Sequence, residues 1–214
     1  MISPDGASDP VRDGDAADAG SGPVAGPLAD AVRADPQASY EQAGSAPVAG
    51  PRERAIVSAQ LGRPARGEPA VVHTCAFGLP TVVRVSPRLE DGTPFPTVFW
   101  LSCPVMRSRV GTLEADHAMV GLNQRLHEDP ELAAEYRDSH DRYVAFRDAQ
   151  GDPLPGDPGA GGMPKHIKCL HVHAAHHLAT GDNPIGAWTV EHATPAPCPG
   201  PCVSEDEIDA WMER

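Results

Sequence analysis

The chain lacks the features that would place it in or across a membrane. Its 214 residues contain no apolar run of about 18 residues, the minimum for a membrane-spanning helix. Residues Met1–Gly6 have neither the basic nor the apolar segment of a signal peptide. We therefore expect a cytoplasmic protein that does not insert into a membrane.

Positive charge is also scarce. The chain has 17 Lys and Arg residues against 30 Asp and Glu residues, which gives a formal net charge of −13. A protein that binds nucleic acid through phosphate contacts needs a basic face, so we expect no nucleic-acid partner. Lysine is nearly missing, since Lys165 and Lys168 are the two in the chain. The sequence leaves the partner open between a small molecule and a protein.

The cysteines are few and widely spaced. Five is an odd number, and with no export signal this favours metal binding or catalysis over a disulfide framework. Cys75 and Cys103 follow segments that look like strands, whereas Cys198 and Cys202 lie in a proline-rich coil. Side chains at the ends of such elements can converge on one site. Each cysteine taken singly also fits a buried small side chain.

The N-terminal quarter of the chain has little to form a core with. Residues 1–52 are rich in Ala, Gly, Pro, Asp and Ser and contain one aromatic residue, Tyr40. The unit AGSGPVAGP at 19–27 recurs as AGSAPVAGP at 43–51, which is typical of low complexity. We predict that residues 1–52 form a disordered tail and that residues 53–214 form a single domain.

The rest of the chain predicts an α+β fold, with a small antiparallel sheet packed against several helices. Segments rich in Val, Thr and Phe and separated by Gly/Pro turns indicate the strands. Segments that begin with proline and carry apolar residues at a 3.6-residue period indicate the helices. The predicted strands span 70–76, 80–86 and 95–102. The predicted helices span 52–61, 104–116, 119–128, 130–148, 164–180 and 204–212.

The segment 165–177 holds five of the ten histidines and one of the five cysteines. On a helix over 164–180, Cys169 and His173 share a face with the following two histidines, while His171 points elsewhere. Lys165 and Lys168 follow a glycine-rich stretch, so an anion could bind at the helix start, although a flexible linker is the favoured explanation of that stretch. The acidic residues, including Glu114, are interpreted as solvated helix faces.

Several segments of this sequence, taken in order, resemble a bacterial family known as domain of unknown function 501. The segments that carry the resemblance are 60–63, 75–80, 95–104, 162–164 and 168–171. The resemblance covers about residues 53–203. It implies that Cys75, Cys103, Cys169, His171, the Asn183-Pro184 turn with Gly186, and the Pro201-Cys202 pair belong to the family pattern. Neighbouring genes of the family suggest a cell-division or polyphosphate context.

This resemblance implies a metal site. Its four cysteines, Cys75, Cys103, Cys169 and Cys202, match the number of thiolates that hold zinc or an iron–sulfur cluster. If the site is iron–sulfur or open-coordinate zinc, we expect an enzyme with His171 and His173 as acid/base groups and Lys165 and Lys168 holding an anion.

Two other interpretations stay open at the level of sequence. One is a non-enzymatic adaptor with closed structural zinc, in the cell-division or polyphosphate context. The other is a metal-free protein in which the cysteines belong to the core and the histidine face binds an anion.

Overall fold

The computed structural model describes residues 35–89, 91–156, 158–194 and 198–214. The part of the predicted tail that spans residues 1–34 lies outside the described residues. The helices are α1 Pro36–Ser45, α2 Pro51–Leu61, α3 Pro104–Ala115, α4 Ala118–Glu128, α5 Pro130–Ala149, α6 Leu170–Thr180, α7 Pro184–Ala193 and α8 Glu205–Met212. The strands are β1 Ala70–Thr74, β2 Pro80–Arg84 and β3 Phe99–Leu101.

The sheet has the order β1-β2-β3, and both pairs are antiparallel. Val83 of β2 is opposite Val71 on one side and Trp100 on the other. Five of the helices have proline in their first turn, where its missing N–H costs no hydrogen bond. Side-chain caps from Asp129, Asn183 and Ser204 fix the starts of α5, α7 and α8. The predicted α+β architecture is confirmed.

The two faces of the sheet are covered by different helices. On one face, Phe99 stacks on Phe146 of α5 with ring centroids 5.1 Å apart, inside the main apolar cluster. On the other, Val57 of α2 packs with Val83 and Val85 in a smaller cluster. Burial of these side chains supplies most of the driving force for folding. In the described part of the chain no helix is both long enough and apolar enough to cross a bilayer.

The predicted boundary of the tail at residue 52 is wrong. Helix α1 lies within the predicted tail, and Tyr40 is only 4% exposed because it packs in the main apolar cluster. Val48 also forms an isolated bridge with Ala70 at the start of β1. Composition missed this helix because its sequence, PQASYEQAGS, contains one large apolar side chain, that of Tyr40.

Helix α6 starts later than predicted, at Leu170 instead of residue 164. The preceding backbone is held by side chains from elsewhere. The amide of Asn123 donates to the Ile167 carbonyl at 3.0 Å and accepts from the Ile167 N–H at 2.8 Å. Because both backbone polar groups of Ile167 are already paired with Asn123, they do not require hydrogen-bond partners within a helix. A further helix, α7, was not predicted at all.

Candidate metal centre at the start of helix α6

The start of α6 brings Cys169 and His171 against helix α3. Cys169 is the N-cap residue and has extended backbone angles, φ −152° and ψ 113°. The first helical amide, Leu170 N–H, donates to Glu114 Oε1 of α3 at 2.6 Å. A carboxylate in this position satisfies a helix N–H that would otherwise be unpaired and faces the positive end of the helix dipole.

The imidazole of His171 is held at both nitrogens. Nε2 lies 3.0 Å from the backbone carbonyl of Arg107, one turn into α3. Nδ1 lies 3.2 Å from Glu114 Oε1. A carbonyl oxygen only accepts hydrogen bonds, so Nε2 donates its proton to the Arg107 carbonyl, and Nδ1 is the nitrogen that faces the Glu114 carboxylate.

Glu114, Cys169 and His171 form a group whose ligand atoms all lie within 4.8 Å of one another. All three side chains are partly buried. One carboxylate oxygen, one sulfur and one imidazole nitrogen form a donor set that borderline metals such as zinc accept. Hydrogen bonds with Cys169 and then with Glu114 raise the pKa of His171 to about 9, against the opposing effect of burial.

A cavity of about 310 Å³ opens beside this group. Its walls are mostly apolar and come from the strand β3 region and the starts of α3 and α6. The residues that line it are Thr97, Phe99, Trp100, Leu101, Arg107, Cys169, His171 and Val172. A small molecule in this cavity would contact the Cys169 and His171 side chains directly. Arg107 is exposed and adds a cationic guanidinium to the lining.

The four cysteines that were predicted as metal ligands are not brought into one group. Cys169 belongs to the group with Glu114 and His171, whereas Cys75 and Cys103 line a different cavity of about 200 Å³ together with Cys198. Cys202 accepts a hydrogen bond from Gln60 at 3.4 Å. Metal binding by the set Cys75, Cys103, Cys169 and Cys202 stays a prediction.

Among the described residues, the group of Glu114, Cys169 and His171 is the one set of three or more potential ligands that converges this closely. The other cysteines approach one another less tightly. Burial chiefly raises the pKa of the Cys103 thiol, and the nearby Cys202 and Cys198 contribute in the same direction.

His173, the second predicted acid/base residue, is not among the residues that line the cavity. It is fully buried and lies 3.2 Å from the Tyr136 hydroxyl and 3.3 Å from Asn183 Nδ2. Burial lowers its pKa to about 4. His176 has a similar position, 2.5 Å from the Tyr40 hydroxyl and 3.0 Å from Asn183 Nδ2. These two histidines are neutral members of a buried hydrogen-bond network.

Lys165 and Lys168 lie on a loop and not at a helix start. Both are exposed, and with Gly159, Gly161 and Gly162 they border an open hollow of about 480 Å³. The backbone amides of both lysines donate to carbonyls within the loop. An anion here would therefore be held by side chains and not by the amides of a helix terminus.

Glu114 is a site residue that could not be identified from the sequence. It was interpreted as part of a solvated helix face, and no local pattern distinguishes it from the other acidic residues of the chain. Its partner Leu170 is 56 residues away in sequence, so packing of α3 on α6 brings them together. His171 was expected to point away from Cys169, which is wrong because Cys169 lies outside the helix.

Comparison with known proteins identifies the family of this chain. A protein-family model matches residues 71–191, more than half of the chain, and its description is "Protein of unknown function (DUF501)". No curated protein and no solved structure matches the chain. The matched region contains every residue of the candidate metal centre.

Proposed function

The chain belongs to the DUF501 family of proteins of unknown function, and we propose that it is a zinc-dependent hydrolytic enzyme. Glu114, Cys169 and His171 would hold the ion. The cavity beside them would hold the substrate. The membership by itself supplies no activity, so the proposal depends on the geometry of these side chains.

The observation that carries the proposal is the arrangement around His171. Three donors of different chemistry converge within 4.8 Å. The nitrogen of His171 that does not face them is tied to the Arg107 carbonyl at 3.0 Å. Histidines that bind metals characteristically donate their second ring N–H to a carbonyl or carboxylate, which orients the ring and fixes the tautomer. The arrangement supports a metal site that is oriented before the metal arrives.

The number of ligands favours a catalytic site over a closed structural one. Structural zinc has four protein ligands, whereas catalytic zinc has three and leaves a position for water or substrate. When bound, zinc would activate a water molecule for attack by lowering its pKa to about 7. The thiolate of Cys169 and the carboxylate of Glu114 would neutralise the charge of the ion. The apolar wall with Phe99 and Trp100 would limit the access of bulk water.

The donor set favours zinc over an iron–sulfur cluster. Such clusters are held by several thiolates, and the group at α6 offers only that of Cys169. Imidazole and carboxylate ligands instead suit a single borderline ion. We therefore propose mononuclear zinc as the cofactor.

A second candidate function is metal-free thiol chemistry. His171 makes a hydrogen bond with Cys169, which is the arrangement of a nucleophilic cysteine and its base. In such sites a third group usually orients the base through the opposite nitrogen. Here Glu114 approaches Nδ1, and the opposite nitrogen meets a backbone carbonyl. The ligand atoms of Glu114, Cys169 and His171 converge within 4.8 Å of one another, which favours a metal site over a cysteine–histidine catalytic pair.

The test is zinc stoichiometry and affinity in the full-length chain. We expect one zinc per chain at this centre, and we expect Cys169→Ser and Glu114→Gln to weaken zinc binding by at least about tenfold. Cys75→Ser is the matched control, because it removes a partly buried cysteine that lies outside the group. Equal zinc affinity in the wild type and in Cys169→Ser would overturn the proposal.

Cobalt substitution and chelation distinguish the alternatives. Cobalt bound at this centre should show thiolate charge-transfer absorption that disappears in Cys169→Ser but persists in Cys75→Ser. Removal of the metal by a chelator should leave the far-UV circular dichroism unchanged, because the core does not include the three ligands. Unfolding on chelation would instead support structural zinc, whose binding energy is folding energy. A reactive Cys169 with no affinity for zinc would support the thiol mechanism.

A further inference from the structure

The segment 159–168, the glycine–lysine loop, has no regular secondary structure yet is held by side chains from three helices. Asn123 of α4 bonds both backbone groups of Ile167. The Tyr136 hydroxyl of α5 donates to the His166 carbonyl at 3.2 Å. The imidazole of His173 in α6 also makes a hydrogen bond with the backbone of Gly161. The loop is therefore preorganised.

Steric contacts require glycine at two positions of this loop. A Cβ on Gly162 would lie 2.4 Å from the His166 carbonyl oxygen, and its φ of +100° is unfavourable for other residues. A Cβ on Gly159 would lie 2.0 Å from the Met163 carbonyl oxygen. The chain therefore folds back on itself closely, which supports a single conformation for the loop.

The outward side of the glycine–lysine loop is cationic. The buried side chains of Ala160, Met163 and Ile167 anchor the loop from its inner side. Lys165 and Lys168 are exposed and border the hollow of about 480 Å³. Within the described residues, neither ammonium group has a hydrogen-bond or ion-pair partner. Both lysines of a chain with a formal net charge of −13 thus occur at one hollow.

We propose that this hollow binds a tetrahedral oxyanion, the phosphoryl group of a small molecule. Two ammonium groups complement the double charge of a phosphate, and each offers three donors with free rotation. His166 is exposed on the same rim and adds a further donor. The loop supplies a fixed platform, so little ordering of the backbone opposes binding.

This site also indicates the substrate class of the neighbouring centre. Lys168 immediately precedes the proposed ligand Cys169, so the hollow and the zinc cavity are on adjacent stretches of the chain. A phosphorylated substrate could be held by the loop while another part of it reaches the cavity. This substrate assignment rests on the proposed function, whereas phosphate binding by the loop does not.

The experiment is a calorimetric titration of the full-length chain with inorganic phosphate, with and without a metal chelator. We expect binding in both conditions. Lys165→Gln/Lys168→Gln should weaken it by at least about tenfold, because two charge-assisted contacts are lost. Arg63→Gln/Arg137→Gln is the matched control, since it removes the same charge from exposed positions outside the hollow. The control should change the affinity less than about twofold.

Each other outcome has a defined meaning. No phosphate binding, or equal losses in both double variants, would overturn the oxyanion site. Acetate binding as tightly as phosphate would overturn the phosphoryl assignment. Loss of phosphate binding on chelation would place the anion on the metal and not on the loop. Cys169→Ser should lose zinc and keep phosphate binding, so failure of the zinc centre would remove only the substrate assignment.

Discussion

At Gly186, one hydrogen atom in place of a side chain lets helices α6 and α7 approach closely. A Cβ at this position would lie 2.1 Å from the His173 carbonyl oxygen and 2.6 Å from the His177 Cβ. Both atoms are held by the backbone of α6, so they cannot move away as the end of a flexible side chain could. The contact places α6, which carries the candidate centre, against α7.

We predict that Gly186→Ala destabilises the fold by at least about 2 kcal/mol, because overpacking forces the two helices apart. Gly111→Ala is the control. Gly111 lies inside α3, and a Cβ added there would have no heavy atom within 4 Å, so alanine should stabilise by about 0.5–1 kcal/mol. Urea denaturation of the two variants measures both values. A Gly186→Ala protein as stable as the wild type would refute the close packing.

Individual residues also show how far the candidate centre could be predicted. Cys169 and His171 were identified from the sequence because their side-chain chemistry is uncommon and their local density is high. Glu114 and the Arg107 carbonyl were not identified. A carboxylate is common, and a backbone carbonyl has no sequence signature, so only their positions in space distinguish them.

At the scale of elements, α1 is the clearest disagreement between expectation and structure. The helix has few apolar residues, but Tyr40 and Ala43 enter the main core cluster. The Tyr40 hydroxyl also donates to the buried Asp182 at 3.1 Å. Helical propensity and composition describe the chain locally, and the stability of this helix comes from distant partners.

We predict different effects for two truncations of the N-terminus. Deletion of residues 1–34 should leave the unfolding free energy within about 0.5 kcal/mol, as expected for residues of low-complexity composition. Deletion of residues 1–46 removes Tyr40 from the core and should cost about 3–5 kcal/mol. Chemical denaturation followed by tryptophan fluorescence would compare the two. Equal stability of both truncated chains would contradict the packing of α1.

At the scale of the whole molecule, a buried polar network joins four helices. The hydroxyl of Tyr40 meets His176 at 2.5 Å, and Asn183 bridges His176 and His173. Asp182 is fully buried and accepts two hydrogen bonds of 2.7 Å from Arg142. Buried polar groups are stable only when they are paired, so the network imposes a specific arrangement on α1, α5, α6 and α7.

This network predicts an acid-sensitive fold. Burial is the main cause that lowers the pKa of His176 to about 3, and His173, His177 and Arg142 act in the same direction while Asp182 opposes them. The unfolded histidine titrates near 6.5. Between these values the unfolded chain binds a proton that the native chain does not. The unfolding free energy should therefore fall as the pH drops below about 6.5.

The measurement is urea denaturation between pH 7 and pH 4.5 in the presence of a chelator. The contribution of His176 amounts to at most about 1.4 kcal/mol per pH unit. His176→Gln lowers stability at pH 7 but should reduce the slope with pH, because its side chain does not titrate. A variant with the wild-type slope would show that other groups cause the acid sensitivity.

Local patterns in the sequence determined much of the secondary structure. Proline and capping residues mark the starts of α3, α5 and α8, and the strands are rich in β-branched and aromatic residues. The chemistry concentrated at 165–177 also pointed to the segment that carries Cys169 and His171. These features follow from short-range sterics, hydrogen bonding and side-chain type, which act over a few residues.

Only the tertiary structure decided where α6 begins, that α1 belongs to the core, and which carboxylate meets His171. The start of α6 depends on Asn123 and Glu114, which bond its preceding backbone and its first amide. These partners are 44 and 56 residues away in sequence. Such contacts form because packed helices leave no other position for their polar groups, and no local preference encodes that choice.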